Sequence, residues 1–225
     1  MATPDPAPRP VNLTEQLTDR LREAILHGVY VPGQRLVEAD LMADFGAGRG
    51  PVREALRRLG AEGVLDLIPN RGAMVRKLSL KELRDVFRMR EALEGLAARL
   101  AAERMADPAV RRAFARALAG IDIAHTGENF SELNRRFHQL IVDFADNEQL
   151  SITLRQLCLP LVRLQFRAAI NEAYRRQSAD EHAEVARALG TGDADAAEAA
   201  MRRHLRGAGE RVLRLAEREH GRHTS

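Results

Sequence analysis

The sequence predicts a mainly α chain in two parts: a small domain of three helices and a β-hairpin over residues 11–78, then an all-helical bundle over residues 79–219. Three observations carry this. Apolar residues recur at helical spacing through most of the chain. The stretch that breaks this period, VLDLIPNRGAMVRKL at 64–78, has two short apolar runs around a Pro-Asn-Arg-Gly turn. From Ser79 onward no strand pattern returns.

Residues 1–10 hold four prolines and little that could pack, so they read as a disordered arm. Leu13, Leu17, Leu21, Ala24 and Ile25 then mark an amphipathic helix over residues 12–27, closed by Gly28 and followed by a Pro-Gly turn at 32–33. Leu36 through Phe45 predicts a second short helix, with Glu38 and Asp40 near its start, where the helix dipole favours negative charge. A third helix starts inside FGAGRGPVREALRRLGAEGV, residues 45–64. Pro51 suits a first turn in which its missing N–H is not needed, Val52, Ala55, Leu56 and Leu59 form the apolar stripe, and Gly63 ends the helix. Three helices and a hairpin in this order make a winged helix-turn-helix.

In the second part, Ser79 and Glu82 form a capping box that opens a helix over residues 80–105, and Asp107-Pro108 opens the next. Helical segments near 128–146, 148–173, 175–189 and 193–219 follow, with Gly120, Gly127, Gly190 and Gly192 at joints and a kink expected at Pro160. Residues 220–225 are left as a tail.

With 45% apolar and 30% charged residues in 225, the chain can bury a sizeable core. No apolar run approaches the roughly 20 residues that cross a membrane, and MATPDPAPRP lacks the apolar centre of a signal peptide. A cytoplasmic protein is expected, with no membrane partner. The single Cys158 cannot form an internal disulfide and reads as a core thiol without a role. A net charge of +3 is too small to argue for a polyanionic partner, and residues 1–78 carry eleven Arg/Lys against ten Asp/Glu, so only the distribution can make that case. It does so in two places: Arg49, Arg53, Arg57 and Arg58 surround only Glu54, and Asn70, Arg71, Arg76 and Lys77 sit together with no acid among them.

Arginine's planar fork matches the O6/N7 edge of guanine. Arg49, Arg53 and Arg57, spaced by four, share one face of the third helix opposite its apolar stripe. On an isolated helix this would be a solvated charged face. Here a preceding short helix, a tight turn and a basic hairpin supply the parts that let a helix enter the major groove of double-stranded DNA while a wing touches its backbone. One short helix reads too few bases for useful specificity, so a homodimer on a palindromic operator is expected.

The bundle carries polar residues on faces that should point inward. Asn134 and His138 lie one turn apart among Phe137, Ile141 and Phe144; His182 precedes Val185 and Leu189; His204 falls within the series Ala197, Met201, Leu205, Ala208 and Val212. A single inward histidine is usually a hydrogen-bonded core residue. Imidazoles on the apolar faces of three helices, with an amide oxygen beside one of them, suit a divalent transition metal of the zinc, nickel or manganese class with positions left open for water or an anion.

PGQRLVEADLMADFGAGRGPVREALRRLGAEGVLDLIPNRGAMVRKLS resembles the N-terminal domain of the GntR family of bacterial transcription regulators, with PVREALRRL and PNRG as its specific signature. The resemblance implies that Arg49 and Arg53 in the third helix, and the wing around Asn70, Arg71 and Gly72, contact DNA. The chain departs from the family at Gly48 and Gly50, where serine or threonine is usual, so hydroxyls that would cap the helix or bind phosphate are absent. Glycine remains a tolerable N-cap, and two readings stand side by side: the bare backbone lets a phosphate approach the helix N-terminus closely, or the glycines are mere sequence drift.

Residues 79–219 are similar to the FCD effector domain of the FadR subfamily, through NRRFH at 134–138, EHAEVARAL at 181–189 and MRRHL at 201–205. The resemblance implies a metal held at Asn134, His138, His182 and His204, with Asn134 where many members have aspartate. It also implies a pocket for a small anionic metabolite, often a carboxylate, assisted by Arg90 or Arg88 in FRMREALE. The expectation is therefore a metabolite-responsive repressor with a metal-dependent carboxylate pocket, not an enzyme. Two alternatives stand beside it: a regulator of the same type with a metal-free pocket for a neutral or lipid ligand, and a histidine-metal enzyme.

Overall fold

A computed structural model describes residues 13–69, 71–127, 129–157, 162, 165 and 170–223, with residues 219–223 described as backbone only. The expected arm, the wing residue Asn70, Cys158 and Pro160 fall outside the described residues. The chain divides into two compact units, Met1–Lys77 and Leu78–Ser225.

The first unit contains α1 (Leu13–Leu26), β1 (Arg35–Leu36), α2 (Glu38–Phe45), α3 (Arg49–Ala61), β2 (Leu65–Ile68) and β3 (Gly72–Val75). Leu17, Leu21 and Ile25 of α1 are buried with Leu41 of α2 and with Val52, Ala55, Leu56 and Leu59 of α3, so the three apolar stripes share one core. At the solvent side, Arg22 of α1 grips Glu62 just beyond α3, Nε to Oε2 at 3.0 Å and Nη2 to Oε1 at 2.8 Å. The sheet order is β1-β3-β2, all antiparallel, with Ile68 opposite Gly72 across the hairpin turn. The sequence reading missed β1: Arg35 and Leu36 pair with Met74 and Ala73, so the second helix starts at Glu38 and not at Leu36.

The second unit is helical among its described residues: α4 (Leu80–Arg104), α5 (Pro108–Ala119), α6 (Phe130–Ala145), α7 (Glu148–Gln156), α8 (Glu172–Thr191) and α9 (Ala194–His223). Its helix starts are set by local chemistry. Ser79 and Glu82 complete a reciprocal capping box, and Asp107, Asn147 and Asn171 each accept an N–H of the first turn of α5, α7 and α8. Among the described residues, the helix expected over 148–173 is interrupted after Gln156, and Val162 and Gln165 are again helical. α7 ends at Gln156, where Leu157 leaves helical geometry at ψ 12°. The 30-residue α9 packs along α4, and two glycines mark their contact: a Cβ on Gly95 would meet Arg202 Cγ at 2.7 Å, and one on Gly209 would meet Phe87 Cγ at 2.9 Å. Ala97, Ala98, Ala101 and Ala102 of α4 bury into the main core with Phe137, Ile141, Val185, Leu189, Met201 and Leu205. No described helix is long and apolar enough to cross a membrane.

A candidate DNA-reading helix and a candidate metal centre

The turn between α2 and α3 is built on two glycines. Gly46 closes α2 in the left-handed region at φ 62°, a conformation that side chains disfavour, and Gly48 is the extended N-cap of α3 with no side chain to accept an N–H. A Cβ at Gly48 would meet only Pro51 Cδ at 3.9 Å, and one at Gly50 would meet nothing within 4 Å. The protein itself therefore does not require glycine at 48 or 50.

Behind that turn, Arg49, Arg53 and Arg57 project into solvent from α3 while Val52, Leu56 and Leu59 are buried. Glu38 at the start of α2 takes Arg53 through Nε, at 2.9 and 3.0 Å to its two oxygens, with Arg49 Nε 4.0 Å away. Glu54 binds both Arg57 and Arg58, which hold its carboxyl down to about 2 through their hydrogen bonds. Arg71 is exposed in the wing, and Gly72 takes φ 84° to begin β3.

Within the bundle, His138 of α6, His182 of α8 and His204 of α9 converge although they are far apart in sequence, each burying a ring against its neighbours. Their ligand nitrogens lie within 4.8 Å of one another. Two of the rings are oriented by carboxylates. His138 Nδ1 meets Glu94 Oε2 of α4 at 2.5 Å, and His204 Nδ1 meets Glu181 Oε2 of α8 at 2.8 Å. Donating Nδ1–H in this way turns Nε2 of both rings toward the centre as lone-pair donors. Their Nε2 atoms stand 3.3 Å apart. Two nitrogens about 2.05 Å from one ion at a tetrahedral angle would stand about 3.3 Å apart. The third ring, His182, leaves Nε2 buried without a partner, as does Ser178 Oγ one turn before it.

The electrostatics agree with ligation. Burial lowers His138 to about 4 against the pull of Glu94, and burial followed by the two neighbouring rings lowers His182 as well, so both are neutral near pH 7, the form a metal takes up. Burial opposes ionisation of Glu94, but the Arg90 guanidinium and His138 overcome it and hold the carboxyl below its ordinary range. Arg90 is buried on Glu94, Nε to Oε1 at 2.7 Å, with its guanidinium 5.5 Å from the Phe87 ring. Glu181 is held down to about 2: burial raises it, and hydrogen bonds from His204 and Arg211 outweigh that.

Of the residues expected at this centre, the three histidines come together. Asn134 lies one turn before His138, half-buried, and Arg88 is exposed on α4. The sequence reading names neither carboxylate of the centre: Glu94 is buried against His138, and Glu181 of α8 backs His204. One signal was available for Glu94, which lies one turn after Arg90 and would otherwise be an unexplained acid between Phe87 and Ala97.

The fold defines a DNA-binding transcription regulator with a winged helix-turn-helix followed by a helical second domain. The comparisons agree. Residues 13–75 match the family of bacterial regulatory proteins named gntR, and residues 85–207 match the FCD domain. The chain is 29% identical over 210 residues to the HTH-type transcriptional repressor RspR of Escherichia coli K12, spanning 92% of this chain and 91% of that one. It is 32% identical over 186 residues to the Nta operon transcriptional regulator of Aminobacter aminovorans, 82% and 87% covered, and 27% identical over 213 residues to the galactonate operon transcriptional repressor of Escherichia coli K12, 84% and 92% covered. The solved structure of E. coli McbR/YncC shares the fold at a TM-score of 0.70, with 22% identity, 93% of this chain and 99% of that one covered. The protein belongs to the GntR family, in its FadR-like branch with a C-terminal FCD domain, and this is a family of transcription regulators, not enzymes.

Proposed function

We propose that the protein is a homodimeric, metabolite-responsive repressor of a palindromic operator, and that its FCD domain holds a divalent transition metal to which a small carboxylate effector binds. The observation that carries this reading is the unsatisfied, buried Nε2 of His182 facing two rings whose Nδ1 atoms are already bound to carboxylates. A bare core histidine would have been given a partner. That two of the relatives are named repressors supports the sign of regulation.

In this reading His138, His182 and His204 hold the ion, with Asn134 as a neutral fourth contact. When bound, the ion supplies a positive charge that attracts an anion, and Glu94 and Glu181 keep the two backed rings in the ligating tautomer. Arg90 holds Glu94 ionised and in place on the inward face of α4, while Arg88, two positions earlier, is exposed on the other face of the helix. On the DNA side, Arg49, Arg53 and Arg57 face the major groove, and Asn70, Arg71 and Gly72 form the backbone contact of the wing. Arg53 exchanges Glu38 for a guanine or phosphate on binding.

Aspartate in place of Asn134 would leave a divalent centre with one positive charge, whereas asparagine leaves it with two, so this chain favours an anionic guest. Metal analysis of untagged protein, followed by calorimetric titration of metal and of succinate, each with and without the other, tests this. Metal and succinate should bind with mutual positive coupling, and Asn134→Asp should bind metal more tightly alone and succinate more weakly afterward. No metal dependence of succinate binding in the parent would overturn the reading.

A further inference from the structure

A second polar cavity opens away from the histidine rings. A cleft of about 220 Å³ lies between the first two turns of α8 and the C-terminal part of α9. Arg211, Arg214 and Arg218, on successive turns of α9, line one wall; Tyr174 and Gln177 of α8 line the other, with Leu215 at the apolar side, and no carboxylate is among its lining residues. The N-terminal end of the 20-residue α8 adds the positive end of its dipole.

Arg211 is the pivot. Its Nη1 and Nη2 bind the two oxygens of Glu181 at 3.0 Å each, its guanidinium lies 5.0 Å from the centroid of the Tyr174 ring, and its Nε is buried with no partner. An arginine whose Nη pair is occupied still offers the Nε edge as a second fork for an oxyanion. Arg214 is exposed, with Glu210 only loosely opposite at 3.7 Å. Glu181 is the shared member of both sites: it accepts from Arg211 and Gln177 on the cleft side and from His204 Nδ1 on the other.

We infer that this cleft is a second ligand site, for a small organic anion with a carboxylate or phosphate head, separate from the histidine centre and coupled to it through Arg211 and Glu181. The head takes the Nε edge of Arg211 and the side chains of Arg214 and Arg218, and the body lies on Leu215. An anion drawing on Arg211 leaves Glu181 less neutralised, so Glu181 binds His204 Nδ1–H more strongly and makes Nε2 the better metal donor. Metal and cleft anion then favour each other reciprocally. The coupling rests on the metal reading above, but the anion site does not.

The test uses full-length protein at constant ionic strength, since free salt would screen exposed arginines. Succinate and inorganic phosphate are titrated in parallel into chelator-stripped parent and into Arg214→Gln/Arg218→Gln, whose substitutions are at exposed positions. Saturable binding to the stripped parent, about tenfold weaker in the double variant, is expected; the tighter of the two probes identifies the head group. Nickel affinity, read by competition with a chromophoric chelator, should rise about fivefold with the anion in the parent and stay unchanged in the double variant. Equal binding by parent and variant, or binding that appears only with metal, overturns the cleft site. Anion binding without a change in nickel affinity overturns the coupling. A protein that binds no nickel at all refutes the metal reading and leaves the cleft to stand on the anion titration.

Discussion

Two glutamate–arginine pairs, one in each unit, have nearly the same bond lengths and opposite settings. Glu38–Arg53, between α2 and α3, spans 2.9 Å with side chains 35% and 65% exposed; Glu94–Arg90 behind His138 spans 2.7 Å with 4% and 11% exposed. Distance therefore says little about what either pair is for. In water an exposed pair is worth about 0–1 kcal/mol and gives way to a phosphate or a base edge. In the core, neither member can be left alone without exposing the other to the cost of an unpaired buried charge. In the proposed function the first pair is exchanged for a DNA contact, whereas the second is a fixture that aims the His138 ring.

The strongest way to break this comparison is to neutralise each acid. Glu94→Gln should cost about 3–5 kcal/mol because Arg90 stays buried without a counter-charge, whereas Glu38→Gln should cost less than about 1 kcal/mol. Denaturant unfolding of both variants measures the difference, and equal costs would mean that burial does not separate the pairs.

Acid should find the buried side next. With His138 lowered to about 4 in the folded chain from 6.5 when free, the unfolded chain binds the extra proton between these values, so stability present above pH 6.5 is lost as pH falls toward 4. The loss is on the order of 2–3 kcal/mol in chelator-treated protein. Glu94, held below its ordinary range, adds a further loss once the pH passes below about 4.5. Unfolding curves at pH 7, 5.5 and 4.5 that coincide would rule out a neutral buried His138.

On the exchangeable side, Arg53→Ala should cost about 1–3 kcal/mol at a cognate operator and much less on unrelated DNA. Both affinities are measured at one salt concentration, and equal losses would reduce Arg53 to a phosphate contact. The smallest effect belongs to Gly48→Ser, which has room for its side chain and should stabilise α3 by a few tenths of a kcal/mol. A stabler variant that binds DNA more weakly would show that the bare backbone serves close approach to phosphate; tighter binding would show that the missing hydroxyl has no such use.

What could be foreseen from the sequence follows the range of the interactions. Helices fixed by periodicity and by local caps, such as α4 behind Ser79 and Glu82, were legible because every participant lies within a turn or two. The three histidines were legible because each falls on an otherwise apolar face. β1 was not, since two residues carry no period and Arg35 and Leu36 become a strand only against Met74 and Ala73. Nor were the carboxylates of the centre. Glu94 meets a histidine 44 positions away and Glu181 one 23 positions away, and nothing in a helical repeat encodes such pairings. The same holds for Arg53 and Glu38, which are 15 residues apart and joined only once α2 and α3 have packed.

The glycines between α4 and α9 have a mechanical consequence. Where any added Cβ would collide with Arg202 or Phe87, the two backbones are interlocked, and sliding one helix along the other would drive those side chains into the opposing backbone. α4 and α9 thus form a chassis. Of the three rings, only His204 is mounted on it; His138 and His182 arrive on α6 and α8. An ion shared by the three would tie α6 and α8 to α9, so its arrival should be felt as slowed amide exchange in α6 and α8.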